Sequence, residues 1–196
     1  MKILGIDTSS PAGSVALLDK NQIVAESILG GSQAYSHKLL EEVDEVLNRS
    51  KTKLKDLEAF AITNGPGSFT GLRVGMSLLK GLVMATEKPF VSVNTLDAYT
   101  ETVKPGTYLI CPVLDARKKE VYTALFNYNN DIYQRKTPDQ AMTPAKLCDQ
   151  INQPTVFVGN GLEVYKDLFM SCLKDNFVDN SPMKNLTVAA SAGLIA

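Results

Sequence analysis

The sequence predicts a mixed α/β protein made of two related lobes, and three observations carry that prediction. Short β-rich runs alternate with longer stretches of helical periodicity. A strand that ends in Asp, a second strand, a helix, and a strand leading into a glycine turn before another helix occur in that order twice, offset by about one hundred residues. The chain has 196 residues with 44% hydrophobic content. That is length for one to two compact units, each able to bury a core without disulfides.

Residues 2–7 read as an apolar strand running into Asp7-Thr8-Ser9-Ser10-Pro11, and residues 14–18 and 22–29 follow as two more β-rich runs. Short turns between them predict an antiparallel meander. From Tyr35 to Arg49, Leu39, Leu40, Val43, Val46 and Leu47 make the stripe of an amphipathic helix, with Lys38, Glu41, Glu42 and Glu45 toward water. The one histidine, His37, sits at the start of that pattern and is assigned no chemistry. Leu57–Thr63 is the next strand.

It leads into Asn64-Gly65-Pro66-Gly67-Ser68-Phe69-Thr70-Gly71-Leu72-Arg73. A strand entering a helix through such a turn leaves backbone N–H groups at a helix N-terminus, where an anion is favoured. Two readings stay open here, a phosphate anchor or a turn closed by Ser68 as N-cap. On the helix that follows, Phe69–Thr86, Gly71, Gly75, Leu78 and Leu82 form one stripe, and Leu72, Met76, Leu79 and Val83 a second; Val74 widens the arc, and Arg73, Ser77 and Lys80 lie opposite. One core needs an arc of only about 100°, so a second cover is expected. Glycines in a helix cost roughly 1 kcal/mol each, which a close helix–helix approach would offset. A partner helix from another chain and a cover within the lobe are both compatible with the pattern.

A strand at Phe90–Val93 and a helix from about Thr95 to Val103 complete the first lobe, and Lys104-Pro105-Gly106 marks the boundary, giving lobes 1–104 and 105–196. The second lobe restarts with the strand Leu109–Leu114 and Asp115, then a strand Val121–Phe126, and later Val156-Phe157-Val158-Gly159-Asn160-Gly161 before a helix. Such a duplication predicts paired loops converging on a cleft of the kind that holds nucleotides.

Charge and composition narrow the function. With 20 basic and 21 acidic residues the net charge is −1, and the pI is about 5.9. A surface that holds nucleic acid unaided is not expected; RNA, if involved, would reach the protein through another subunit. A single histidine and no tryptophan exclude any site built on paired histidines. Cys111, Cys148 and Cys172, odd in number and widely spaced, read as reduced core thiols. The apolar run before Asp7 is too short for a signal peptide and no run is long enough to span a bilayer, so a cytoplasmic protein without membrane association is expected.

Ile6-Asp7-Thr8-Ser9, the run Asn64–Arg73, Leu114-Asp115-Ala116-Arg117 with Glu120-Val121-Tyr122, and Gly159-Asn160-Gly161 together resemble the TsaB (YeaZ) family over essentially the whole chain. The resemblance implies an actin-like ATPase (ASKHA, ribonuclease H-like) fold. It also implies a non-catalytic part in threonylcarbamoyl transfer to adenosine 37 of tRNAs that read codons starting with A. The catalytic subunit would be a paralogue, TsaD, with the ATPase TsaE joining; ATP or ADP and metal belong to those partners, and no cofactor or metal is assigned to this chain. Pairing with TsaD, or with a second copy, would use the first-lobe helices, which puts Leu39, Val43, Val46, Gly71, Val74, Gly75 and Leu78 forward as contacts. Asp7 and Asp115 stand where nucleotide-hydrolysing relatives orient metal and water, so Asp7, Thr8, Ser9, Asp115, Arg117, Gly159 and Gly161 are candidate nucleotide or phosphate contacts, although the loop after Asp7 lacks the glycine spacing of a phosphate hairpin. A nucleotide-hydrolysing enzyme or small-molecule kinase of the same fold is the alternative, and a metalloprotease-like hydrolase the weakest. Family members usually continue past the apolar run Val188–Ala196.

Overall fold

Three strands, β1 (Lys2–Asp7), β2 (Ser14–Asp19) and β3 (Gln22–Ile28), form the expected antiparallel meander, joined by two-residue and longer turns. The structure, a computed structural model, describes residues 1–30, 35–178, 183–184 and 186–196, with the backbone alone at 35–37; the side chain of His37 lies outside the described set. Helix α1 (Tyr35–Arg49) leads to β4 (Ala59–Thr63), which lies parallel to β1; α2 (Phe69–Thr86) leads to β5 (Phe90–Val93), parallel to β4, and α3 (Thr95–Glu101) follows. The sheet order is β3-β2-β1-β4-β5. Its central strands are buried on both faces, which is why β1 reads as a nearly continuous apolar run while the edge strand β3 is largely exposed. One face, through Leu4, Ile6, Val15, Leu17, Phe60 and Ile62, packs on Leu39, Val43, Val46 and Leu47 of α1 and on Leu79 and Leu82 of α2.

The second unit begins with β6 (Leu109–Arg117) and β7 (Glu120–Thr123), continues through β8 (Phe126–Asn129), β9 (Ile132–Arg135), β10 (Gln140–Met142) and α4 (Pro144–Cys148), and ends with β11 (Thr155–Val158), α5 (Gly161–Leu173) and β12 (Phe177–Val178). Its main path, β10-β7-β6-β11-β12, repeats the first sheet: two antiparallel pairings on one side of the central strand and two parallel ones on the other. The duplication read from the sequence is therefore present in strand order and direction. Val121–Phe126, expected as one strand, is two. β7 pairs with Val113–Arg117, and after Ala124-Leu125 the chain steps across to pair β8 with Leu109-Ile110 at the other end of β6. The core here is built on Cys111, Val113, Val121, Phe157, Phe169 and Leu173, with the rings of Phe157 and Phe169 stacked at 4.7 Å.

The last helix, α6 (Val188–Ile195), corrects the expected division into 1–104 and 105–196. The compact units are Met1–Ala98 with Leu186–Ala196, and Tyr99–Asn185, so the chain end belongs to the first unit. α6 covers the sheet face opposite α1 and α2, where Ala16, Leu18, Ala189 and Ala190 form one cluster and Ile3, Ala61, Val93 and Ala192 another. Small residues let it lie close: a Cβ on Gly5 of β1 would stand 2.1 Å from the Ala189 carbonyl oxygen. Thr187 caps the helix by accepting from Ala190 N, and Ser14 Oγ accepts from Ala189 N, both at 3.1 Å.

Candidate functional site

The turn between β4 and α2 is tied down through Ser68, which caps the helix. Ser68 N donates to the Ser9 carbonyl at 2.7 Å, Gly71 N to Ser68 Oγ at 3.2 Å, and Leu72 N to the Ser68 carbonyl at 2.8 Å. Two of the N–H groups at the start of the helix, those of Ser68 and Gly71, are thereby engaged within the protein. Gly65 is pinned from the other side, its carbonyl accepting from Thr95 N and its N–H donating to Thr95 Oγ1.

The glycine stripe of α2 has an owner within the same unit. A Cβ on Gly71 would lie 2.1 Å from the Thr8 carbonyl oxygen, one on Gly75 2.3 Å from Thr8 Oγ1, and one on Gly67 2.4 Å from the Ser9 carbonyl oxygen. Gly71 and Gly75 are therefore not contacts for another chain: they let α2 approach the loop after β1. Val43 and Val46 are corrected likewise, and Leu39 is mostly taken up by the core although it also borders the groove between α1 and α2. All three are at most 1% exposed and face the sheet. The helical period shows that a face is covered, and both core and partner satisfy it equally.

What stays open is a groove of about 520 Å³ between α1 and α2, lined by Leu39, Leu40, Thr70, Arg73, Val74, Ser77 and Leu78. Of the expected contacts only Val74 and Leu78 are half-buried and line it, joined by the edge of Leu39. Thr70, Arg73, Val74, Ser77 and Leu78 follow i, i+3, i+4, i+7, i+8 and so share one face of α2. Thr70, Arg73, Ser77 and Leu40 were missed as site residues because the apolar pattern assigns polar positions to water; the signal that would have found them is Leu40, a stripe residue beyond what the sheet needs, which is 48% exposed. Phe69, 67% exposed, holds the Arg73 guanidinium 3.8 Å over its ring at the start of the same helix.

Asp7, Thr8 and Ser9 are brought together at the end of β1, all buried. Asp7 Oδ1 accepts from Thr63 Oγ1 at 2.6 Å and from Ser9 N at 3.1 Å. Asp7 Oδ2 and Thr8 Oγ1 have no hydrogen-bond partner among the described residues. Burial pushes the Asp7 carboxyl above its ordinary value, and the bonds from Ser9 and Thr63 pull only partly against that. In the second unit, Asp115 N donates to Asn160 Oδ1 at 3.2 Å, while Asp115 accepts Arg117 N at 3.0 Å and faces the Arg117 guanidinium at 3.7 Å. Gly159, at φ +103°, and Gly161 fit against β6 because a Cβ on either would stand 2.5 or 2.8 Å from the Val113 carbonyl oxygen. Their role is close packing of the β11–α5 turn on β6.

Among the described residues no group of three His, Cys, Asp or Glu side chains is placed to hold a metal ion, and no helix is long and apolar enough to cross a membrane. Cys111 and Cys148 are buried as expected; Cys172, expected in the core, is exposed on α5.

A family model described as TsaD: tRNA N6-adenosine threonylcarbamoyltransferase matches residues 22–193. The chain is 31% identical over 176 residues to the tRNA threonylcarbamoyladenosine biosynthesis protein TsaB of Bacillus subtilis (strain 168), a match spanning 88% of this chain and 77% of that one. It is 33% identical over 174 residues to the protein of the same name from Escherichia coli (strain K12), spanning 86% and 75%. Among solved structures, an uncharacterized protein with similarity to peptidase YEAZ from Pseudomonas aeruginosa superposes with a TM-score of 0.81 at 23% identity, covering 99% of this chain and 89% of that one. A ROK hexokinase from Thermus thermophilus follows the same course with a TM-score of 0.54 at 11% identity over 99% and 98% of the two chains, which places the duplicated sheets in the actin-like ATPase fold. With sequence matches across most of the chain and a fold to accompany them, this protein belongs to the TsaB (YeaZ) family.

Proposed function

We propose that this chain is a non-catalytic partner subunit in threonylcarbamoyl transfer to adenosine 37 of tRNAs reading ANN codons, and that it works in the cytoplasm by docking a TsaD-type paralogue on the α1–α2 groove, with a TsaE-type ATPase joining the pair. The observation that carries the docking is the groove itself. Leu40, Val74 and Leu78 supply apolar surface there, with Thr70, Arg73 and Ser77 as a polar rim, the composition of a protein interface rather than of a solvated helix pair. Support for a non-catalytic role comes from the loop after β1. Its carboxylate is buried, Ser68 N and Gly71 N at the start of α2 are engaged within the protein, and Gly67, Gly71 and Gly75 let the loop lie close against the start of α2. The subunit then acts through its partner: it holds the paralogue in an active arrangement, and a second copy of this chain competes for the same groove.

The test is reconstitution. Threonylcarbamoyl transfer to tRNA by the TsaD and TsaE paralogues is measured with no addition, with this chain, and with its Leu40→Asp variant. Transfer should require the wild-type chain and fall to the no-addition level with the variant, whose melting temperature should stay within a few degrees. Full transfer in its absence would refute the proposal. ATP turnover by the isolated chain that disappears with Asp7→Asn would instead favour a nucleotide-hydrolysing enzyme.

A further inference from the structure

Among the described residues, three hairpins are closed by two-residue loops in which both loop residues have positive φ, the geometry of the turn that prefers Asn, Asp and Gly. Lys20-Asn21 joins β2 to β3 with φ of 50° and 63°, and Asn130-Asp131 joins β8 to β9 with 51° and 63°. Each of the two contains at least one residue that tolerates the left-handed region, Asn21 beside Lys20 in the first and Asn130 with Asp131 in the second. The third, between β6 and β7, does not. Lys118 and Lys119 take φ of 49° and 64°, and Arg117 before them takes 65° at a register shift where a bulge ordinarily uses glycine. Three successive cations occupy a conformation that none of them favours, and all three are exposed, the Arg117 side chain to 84%.

Backbone strain kept at an exposed tip points to a use for the side chains placed there. Arg117 is steadied by Asp115, which accepts its N–H and faces its guanidinium, and Glu120 closes the ladder opposite it. Lys118 and Lys119 have no ion-pair partner among the described residues. Two free ammonium groups at the apex of a hairpin reach outward from the sheet. Such a tip buries little of any ligand, so it suits a polyanion held at many points rather than a free nucleotide, which needs a concave site. The chain as a whole carries a charge of −1, so this contact would add to binding provided mainly by another subunit.

We infer that the Arg117–Lys119 tip contacts the ribose-phosphate backbone of the tRNA within the assembled complex, without reading its sequence. The inference rests on the proposed function. It is tested on the complex of the full chain with its TsaD-type paralogue, using the double substitution Lys118→Asn/Lys119→Gly, which installs the residue pair this turn prefers. Melting temperature should rise or hold. Affinity for unmodified tRNA should fall roughly three- to twentyfold, two exposed charge contacts being lost, and its salt dependence should become shallower by about one per lysine. Lys118→Arg/Lys119→Arg should keep both, and affinity for ATP and for the paralogue should not change. Unchanged tRNA affinity and salt slope, with the paralogue still bound and wild-type transfer intact, would overturn this inference alone. A loss of ATP affinity with tRNA binding unchanged would overturn it in favour of a nucleotide phosphate. Failure of the wild-type chain to bind the paralogue would overturn the proposed function and this inference together.

Discussion

Alanine at Gly71 and at Gly75 should behave differently, because different atoms stand in the way. In an open helix either substitution would stabilise by about 1 kcal/mol through propensity. At Gly71 the obstacle is the Thr8 carbonyl oxygen, 2.1 Å from the new Cβ, and backbone cannot rotate aside. The expected net loss is about 3 kcal/mol, at the upper end of ordinary overpacking, or roughly 6–12 °C in melting temperature for a chain of this size. At Gly75 the nearest atom is Thr8 Oγ1 at 2.3 Å, with Thr8 Cγ2 at 3.3 Å and Ile62 Cδ1 at 3.4 Å. Gly75→Ala alone should cost about 1–2 kcal/mol. In a Thr8→Ala background that clash is gone, so the alanine should become neutral or stabilising, a coupling on the order of 2 kcal/mol. Thr8→Val keeps the branch and should give no relief. Gly71→Ala should not be rescued by any Thr8 substitution. Chemical denaturation of the four single variants and the four Thr8–glycine double variants measures all of this. If Gly71→Ala and Gly75→Ala were as stable as wild type and instead weakened binding to the paralogue, the glycines would face a partner and the packing described above would be wrong.

Adjacent leucines make a second contrast: Leu39→Ala, in the core, should lose about 2–5 kcal/mol of stability, whereas Leu40→Asp should unfold at nearly the wild-type denaturant midpoint and weaken paralogue binding by 100-fold or more, on the order of 3 kcal/mol, read by calorimetric titration. Because Asp7 holds its proton more tightly folded than unfolded, its contribution is complete below about pH 4, the ordinary carboxylate value, and is lost as pH rises through the raised folded value. Asp7→Asn should therefore gain stability relative to wild type between pH 4 and pH 7, and a relative loss at pH 7 would mean that a cation compensates the carboxylate. Native protein treated with a thiol reagent at pH 8 should modify Cys172 first, since Cys111 and Cys148 are buried and burial pushes each thiol up to about 12; fast modification of two or three sites by mass spectrometry would contradict that.

Much of the fold was legible because it is written in local periodicity. The meander, α1, α2 and the repeated strand order follow from alternation, amphipathic stripes and turn residues that neighbours in sequence enforce, and Ser68 was readable as a cap because capping is settled within three residues. The strand Val121–Phe126 was misread at the one place where pairing changes partner: β7 and β8 share β6 end to end, and no local pattern records that exchange.

By itself, then, the sequence determined that two similar α/β units form, that their helices carry wide apolar arcs, and that Asp7 and the run from Asn64 to Arg73 stand at strand and helix ends. Only the tertiary structure decided what covers each arc. Periodicity states that a face is removed from water, and burial free energy is indifferent to whose atoms do it. Gly71 and Gly75 could meet a foreign helix or the Thr8 carbonyl and hydroxyl, and shape at the ångström scale selects the latter. The chain end could cap the second unit or return to the first, and the small residues of α6 against Gly5 select the return. Leu40 is left over in the same way, an apolar side chain that its own unit leaves half exposed.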